Sequence, residues 1–221
     1  MKLTYLGHSA FYFESGDFKA LIDPFISGNP NCPFEVKDFP ELSHILVTHG
    51  HADHIGDTVE LAKATGALVV CNHELGHYFN AQGLDNVHTM HIGGRFDRFK
   101  MTPAWHGSSV EIEGKLYDGG NPGGFLIELD GTKIYHAGDT GLTMEMMLLK
   151  DEQVDYALLP IGSNFTMDWN DALRAVDMIQ PKHLIPMHYD TFEVIEVDFE
   201  TLDIPQDLKM TILKPGESIE E

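Results

Sequence analysis

The stretch Thr48-His49-Gly50-His51-Ala52-Asp53-His54 directly follows the apolar run Ile45-Leu46-Val47, which is typical of a buried strand. Four side chains able to bind a metal therefore fall within six residues at the end of that strand. In an extended segment, side chains two positions apart point the same way, so the first two histidines can face one ion. The aspartate and the third histidine follow as the chain turns towards a helix, and they can face a second point nearby. The stretch predicts a strand-to-helix unit that holds two cations.

Three more residues that can bind a metal lie just beyond the ends of other predicted strands. They are His106, Asp139 and His188. Sheets of α/β proteins commonly carry their sites beyond the carboxyl ends of strands. Each of the three, taken alone, could equally be an ordinary polar loop residue. Together with the first stretch they give a candidate set of five histidines and two aspartates.

The composition limits the classes of protein to consider. The 221 residues are 43% hydrophobic and 22% charged, which is typical of a globular chain and excludes a disordered or fibrous one. Lys and Arg number 14 against 35 Asp and Glu, a net charge of −21, so binding of nucleic acid through a basic face is disfavoured. Thirteen histidines favour metal chemistry. Cys32 and Cys71 are expected to be reduced thiols.

The order of predicted elements favours one domain over residues 1–221, with two packed sheets and helices outside them. The predicted strands are 2–6, 10–14, 18–22, 45–47, 67–71, 96–103, 124–129, 133–136, 156–160, 183–187 and 209–213. The predicted helices are 59–66, with a capping box from Asp57 to Glu60, then 73–82, 143–149 and 171–179. No segment has the length and apolar character of a signal peptide or a membrane span. We therefore expect a cytoplasmic protein.

The same residues carry a family resemblance. The 48–54 stretch resembles the signature of the metallo-β-lactamase superfamily, and in particular a prokaryotic branch of uncharacterised hydrolases related to lactonases and phosphodiesterases. Matching segments include Leu21-Ile22-Asp23-Pro24, Tyr135-His136-Ala137-Gly138-Asp139-Thr140 and Pro186-Met187-His188-Tyr189, and their order covers nearly the whole chain. The resemblance implies a four-layer αββα sandwich of class α/β, with its site at the mouth between the two sheets.

The resemblance also implies which residues hold which ion. His49, His51 and His106 would hold the first metal, and Asp53, His54 and His188 the second, with Asp139 bridging them. Two divalent ions per chain are expected, with zinc favoured and manganese, nickel, iron or cobalt as alternatives. Such ions share a water whose pKa falls towards about 7, and the resulting bridging hydroxide attacks the substrate.

Two further side chains have expected roles beside the ions. Asp53 is the expected proton acceptor as well as a ligand. The family pattern puts His8 near the metals, as proton shuttle or substrate contact, and a structural role is equally compatible with its position. Asp23 is a candidate acceptor for the second N–H of a ligand histidine.

The predicted function is a dinuclear metal-dependent hydrolase that cleaves a small ester, lactone or phosphodiester. The alternatives are a metal-dependent nuclease or phosphodiesterase on nucleic acid, and a non-catalytic metal-binding or sensing protein. A di-iron redox protein is disfavoured because the first motif carries His51 where such proteins carry a carboxylate. The expected partner is a small-molecule substrate, neither nucleic acid nor a membrane is expected to bind, and a homo-oligomer is compatible with the sequence.

A second motif competes with the first. His73-Glu74-Leu75-Gly76-His77 matches the H-E-x-x-H pattern of helical zinc proteases. On a helical wheel, however, both histidines lie opposite the apolar stripe. We therefore expect this motif to be a solvated helix face.

Overall fold

The computed structural model describes residues 1–221 and contains two main sheets. The first sheet has the strand order β15-β1-β2-β3-β4-β5-β6. Its strands are β1 (Lys2–Gly7), β2 (Ala10–Ser15), β3 (Phe18–Ile22), β4 (His44–Leu46), β5 (Leu68–Asn72), β6 (Val87–Met90) and β15 (Ser218–Glu220). Strands β3 to β6 pair in parallel, whereas β15, β1, β2 and β3 pair antiparallel.

The second sheet has the order β14-β13-β12-β11-β8-β7. Its strands are β7 (Arg95–Phe96), β8 (Phe99–Pro103), β11 (Gly123–Leu129), β12 (Thr132–His136), β13 (Tyr156–Pro160) and β14 (His183–Met187). Strands β12 to β14 are parallel, and β7, β8, β11 and β12 pair antiparallel. A separate hairpin consists of β9 (Ser109–Ile112) and β10 (Lys115–Asp118).

Four α-helices complete the architecture, together with short 3₁₀ helices. They are α1 (Ala52–Ile55), α2 (Thr58–Thr65), α3 (His73–Ala81) and α4 (Trp169–Ile179). Helices α2 and α3 pack on the first sheet, and α4 packs on the second. None of the helices has both the length and the apolar character that a membrane span requires.

The alternating directions of the side chains along the strands explain why there is one core between the sheets and another beneath the helices. In β5, Val70 belongs to the large core between the two sheets, whereas Val69 and Cys71 belong to the core beneath α2 and α3. Successive side chains of a strand point to opposite faces, so a strand apolar at every position is buried on both faces. The predicted αββα sandwich is confirmed.

Two predicted elements near the ends of the second sheet differ from the structure. The helix predicted at 143–149 is a 3₁₀ helix, Met144–Glu152. Thr143, Met146 and Leu149 are its buried side, and a spacing of three fits 3.0 residues per turn better than 3.6. The strand predicted at 209–213 makes only one bridge, Leu184 to Met210. The chain ends instead in β15, which pairs with β1.

The predicted capping box of α2 is wrong. The carboxylate of Asp57 accepts hydrogen bonds from the backbone N–H groups of Ile26 and Ser27, at 3.0 and 2.8 Å, and makes no cap bond. It therefore ties the loop after β3 to the start of α2. A local pattern cannot distinguish these two uses of an aspartate, because the competing partners lie thirty residues away.

Gly56, the residue at which α1 ends, leaves no room for a side chain. It has a φ of 44°, and a Cβ there would lie 2.1 Å from the carbonyl oxygen of Pro24. We expect Gly56→Ala to lower the free energy of unfolding by more than about 3 kcal/mol, since backbone atoms cannot move aside cheaply. Gly66→Ala is the control: its φ is +74° but nothing lies within 4 Å, so the loss should be about 1 kcal/mol. Urea denaturation measures both, and equal losses would contradict the clash.

Candidate metal centre

The strand directions bring the predicted site residues to one edge of the molecule. In the first sheet, β1, β3 and β4 run the same way, because β1 and β3 are both antiparallel to β2. In the second sheet, β8, β12 and β14 run the same way by the same argument. The candidate residues come just after the carboxyl ends of these strands: His8 after β1, Asp23 after β3, the 49–54 stretch after β4, His106 after β8, Asp139 after β12 and His188 after β14.

Three of the predicted ligands form one group. The nitrogen atoms of His49, His51 and His106 lie within 4.8 Å of one another. Nε2 of His49 lies 3.0 Å from Nδ1 of His51. Two nitrogen ligands of one tetrahedral zinc ion lie roughly 3.3 Å apart, given bonds of about 2.0–2.1 Å. This spacing fits three ligands of a single ion.

The second group contains one side chain more than its predicted three. Asp53, His54 and His188 lie together, and His8 joins them, with all four ligand atoms within 4.8 Å. Nε2 of His8 is 3.0 Å from Oδ2 of Asp53, and its Nδ1 is 3.0 Å from the hydroxyl of Thr191. An ionised carboxylate only accepts hydrogen bonds, so His8 donates from Nε2 and accepts from Thr191 at Nδ1.

Asp139 lies between the two groups. Its carboxylate oxygens are 3.3 Å from Nε2 of His54, 3.5 Å from Nε2 of His106 and 3.0 Å from Nε2 of His188. It therefore reaches both groups, as a bridging ligand must.

Unpartnered polar atoms show that the residues fit a metal. Nε2 of His54 and Oδ1 of Asp139 are buried and neither makes a hydrogen bond, although they face each other at 3.3 Å. A buried polar atom without a partner is costly, and natural proteins rarely leave one. The two atoms are a nitrogen and an oxygen donor of the kinds that bind zinc and similar ions.

Asp23 orients two of the candidate ligands. Its buried carboxylate accepts from the backbone N–H and the hydroxyl of Thr48, at 2.8 and 2.6 Å, and from Nδ1 of His54 at 2.7 Å. Since the Thr48 hydroxyl donates to Asp23, it accepts from Nδ1 of His49, 3.0 Å away. Both histidines are thereby held in the tautomer that leaves Nε2 free for an ion. Sequence reasoning named Asp23 as such an acceptor but missed Thr48.

Burial and charge set the protonation of the cluster. Burial lowers the pKa of His49 well below its ordinary value, and lowers the pKa of His8 to about 4. Burial also opposes protonation of His54, but the carboxylates of Asp139 and Asp23 outweigh it and hold its pKa well above the ordinary value. For Asp139, burial is outweighed by His54 and His188, which hold its pKa well below the usual range. His8 and His49 are thus neutral imidazoles beside ionised carboxylates, whereas His54 carries a proton that a bound ion would displace.

The backbone of the site is strained at three of these residues. His8, Asp23 and His188 have φ values of 58°, 46° and 55°, in the left-handed region that non-glycine residues rarely adopt. Each costs of order 1 kcal/mol or more and persists only where the surroundings impose it. The strain turns each side chain from the strand end into the common cluster.

Three further histidines and one asparagine lie outside the two ligand groups. His136 is structural: its Nε2 donates to the carbonyl of Ser9 at 2.8 Å, and its Nδ1 accepts from the N–H of Gly138 at 3.1 Å. His73 and His77 are exposed on α3, as expected for a solvated helix face. Asn164 is exposed on a loop.

Known proteins resemble this chain in both sequence and structure. A model of the β-lactamase superfamily domain matches residues 19–189. A UPF0173 metal-dependent hydrolase of Alkaliphilus metalliredigens is 54% identical over 205 residues, covering 91% of each chain. A protein of the same name from Carboxydothermus hydrogenoformans is 45% identical, covering 99% of each. Igni18, a metallo hydrolase of Ignicoccus hospitalis, has a solved structure that superposes with a TM-score of 0.87 at 35% identity, covering 99% of this chain and 97% of that one.

Proposed function

We propose that this chain, which belongs to the β-lactamase superfamily and is one of its metal-dependent hydrolases, uses two divalent ions in catalysis. Its proposed substrate is a small ester, lactone or phosphodiester. The observation that carries the proposal is the position of Asp139, whose carboxylate faces imidazoles of both ligand groups at 3.0–3.5 Å. Two ions account for this arrangement better than one, because the candidate ligands fall into two groups, and a third cluster of His49, His54 and Asp139 joins them.

Each group has a distinct part in the proposed site. His49, His51 and His106 would hold one ion, and Asp53, His54 and His188 the other, with Asp139 between them. Bound there, the ions would lower the pKa of a water molecule and polarise the carbonyl or phosphoryl oxygen of the substrate. The ion would be zinc or another divalent metal that accepts nitrogen and oxygen ligands.

Asp53 and His8 would take part in the transfer of the proton from the attacking water. Asp53 is half-buried at the wall of the cavity, where a water or substrate can reach it. Burial works against its ionisation, but the hydrogen bond from His8 and the nearby His54 outweigh burial, so the pKa of Asp53 lies below its usual range. Asp53 is therefore an ionised acceptor, and the His8–Thr191 pair fixes its orientation.

The two alternatives from the sequence fit less well. A nuclease needs cations along the path of the phosphate backbone, and no Lys or Arg lines the cavity at this site. A sensing protein needs no proton acceptor open to the cavity, whereas Asp53 is one. The cytoplasmic location remains an expectation.

The experiment that tests the proposal is hydrolysis by zinc-loaded protein on a panel of p-nitrophenyl esters, lactones and bis(p-nitrophenyl) phosphate. We expect turnover of at least one class, and a loss of about 10²-fold or more in kcat for Asp53→Ala, because a positioned general base contributes about that much. Asp85→Ala, which changes an exposed loop aspartate, is the matched control and should retain activity. Zinc-loaded wild type that turns over no member of the panel would favour the sensing alternative.

A further inference from the structure

An apolar wall adjoins the candidate metal centre. A cavity of about 640 Å³ is lined by Asp53, His106, Asp139 and His188, and also by four apolar side chains that form what we call the apolar wall: Phe25, Phe165, Phe192 and Val194. Phe165 is 54% exposed, Phe192 41% and Val194 59%. Exposed apolar side chains that line a cavity beside polar groups are typical of a ligand-binding groove.

The loop after β13 holds Phe165 outward. Ser163 and Asn164, just before it, have φ values of 60° and 51°, two consecutive non-glycine residues in the left-handed region. The loop is fixed by bonds from the N–H of Ser163 to the carbonyl of Met167, and from the N–H of Met167 to the carbonyl of Thr140, both 3.0 Å. A strained but well-bonded loop that exposes an aromatic ring over a cavity indicates a functional position for that ring.

Phe192 and Val194 are held outward in a similar way. They flank the start of a short 3₁₀ helix, Glu193–Ile195, whose Ile195 is completely buried and anchors the segment. The ring of Phe192 packs edge-on against His8, with centroids 5.5 Å apart, and Phe25 does the same at 5.7 Å. Both rings therefore lie next to the hydrogen-bonded pair of His8 and Asp53.

The wall carries no cationic side chain. None of the residues that line the cavity is Lys or Arg, and its two carboxylates, Asp53 and Asp139, are candidate metal ligands. A substrate arm that carries an anion away from the reacting centre would therefore find no compensating cation on the wall, whereas an apolar arm needs none.

We propose that this wall binds the apolar arm of the substrate, so that the site favours carboxylic esters or lactones with a long aliphatic or aromatic acyl group over those with a short one. The inference rests on the proposed hydrolase function for its chemistry: water adds a hydroxyl to the acyl carbon, the carbon–oxygen bond breaks, and the alcohol leaves with a proton. The acyl group lies against the wall while the carbonyl faces the ligand cluster.

Acyl-chain selectivity tests the proposal. For zinc-loaded wild type we expect kcat/KM for p-nitrophenyl octanoate to exceed that for the acetate by about 10-fold or more, since even single methylenes in an apolar pocket discriminate strongly. In the double variant Phe165→Ala/Phe192→Ala, this ratio should fall by about 10-fold. Leu116→Ala removes an even more exposed apolar side chain, on the β9–β10 hairpin outside the cavity, and should keep the wild-type ratio. An unchanged ratio in the double variant, or a wild-type octanoate-to-acetate ratio near 1, would overturn the proposal.

A binding measurement separates this proposal from the hydrolase function itself. Saturation-transfer NMR with octanamide, which resists hydrolysis far better than an ester, should show saturable binding that weakens about 10-fold in the double variant. If octanamide binds in this way but no ester is turned over, the hydrolase proposal fails and the apolar subsite stands. If octanamide does not bind saturably, the subsite is refuted whatever the hydrolytic result.

Discussion

Asp139→Asn should reduce kcat by at least about 10²-fold and should reduce the bound metal from the two ions per chain proposed above to one or none. The carboxylate faces both ligand groups, and the asparagine amide keeps its shape but offers one neutral oxygen and an NH₂ group that cannot bind a cation. Even changes to residues that only support a ligand cost 10–100-fold in affinity or activity, so a bridging ligand should cost more. Elemental analysis and hydrolysis of the best panel substrate, on the same preparation, measure both effects.

The control for Asp139 is His77→Ala, which removes an exposed histidine on α3. Because His77 belongs to none of the ligand groups and its ring bonds only to His73, metal content and kcat should match wild type. Two ions retained per chain with unchanged turnover in Asp139→Asn would show that the carboxylate bridges nothing.

Asp23→Ala should lower the free energy of unfolding of metal-free protein by about 3 kcal/mol or more. Asp23 is fully buried, and its removal leaves the N–H and hydroxyl of Thr48 and the Nδ1–H of His54 without an acceptor. Each unsatisfied buried donor costs about 1–3 kcal/mol. Zinc affinity should also fall, by about 10–100-fold, because the tautomers of His49 and His54 are no longer fixed.

Asp57→Ala is the matched control for Asp23. Asp57 also accepts two hydrogen bonds, from the backbone of Ile26 and Ser27, but it is half-exposed and water can replace it. The loss should therefore be about 1 kcal/mol, with zinc affinity unchanged. Urea denaturation and a competitive zinc titration measure the pair, and equal losses for the two variants would refute the special role of Asp23.

The sequence predicted more of the site than of the local structure. Residue types and strand ends predict the seven ligand candidates, the family resemblance adds His8, and the fold brings all eight to one edge. The 3₁₀ helix at 144–152 and the strand β15 were not predicted. The first depends on which residues pack inward, and the second on pairing with a strand more than two hundred residues away. Neither signal is present in a local window of sequence.

Some roles could be assigned only after the side chains were placed. His8 and His136 both lie in or just after strands, and residue type does not by itself distinguish a site role from a structural one. In the structure His8 bonds to Asp53 and Thr191, whereas His136 is satisfied by the backbone of Ser9 and Gly138. The partners that decide the matter lie up to 183 residues away along the chain.

The sequence by itself determined the donor chemistry, because imidazole and carboxylate are fixed by residue type and because strand alternation and the two-residue spacing of His49 and His51 are local. It also determined the two-faced strands that require a layered sandwich. Only the tertiary structure decided that Asp139 reaches both ligand groups, that Asp23 and Thr48 orient the histidines, and that Phe165 and Phe192 share one cavity wall. Those relations depend on distances between separate strand ends, which exist only once the two sheets have packed.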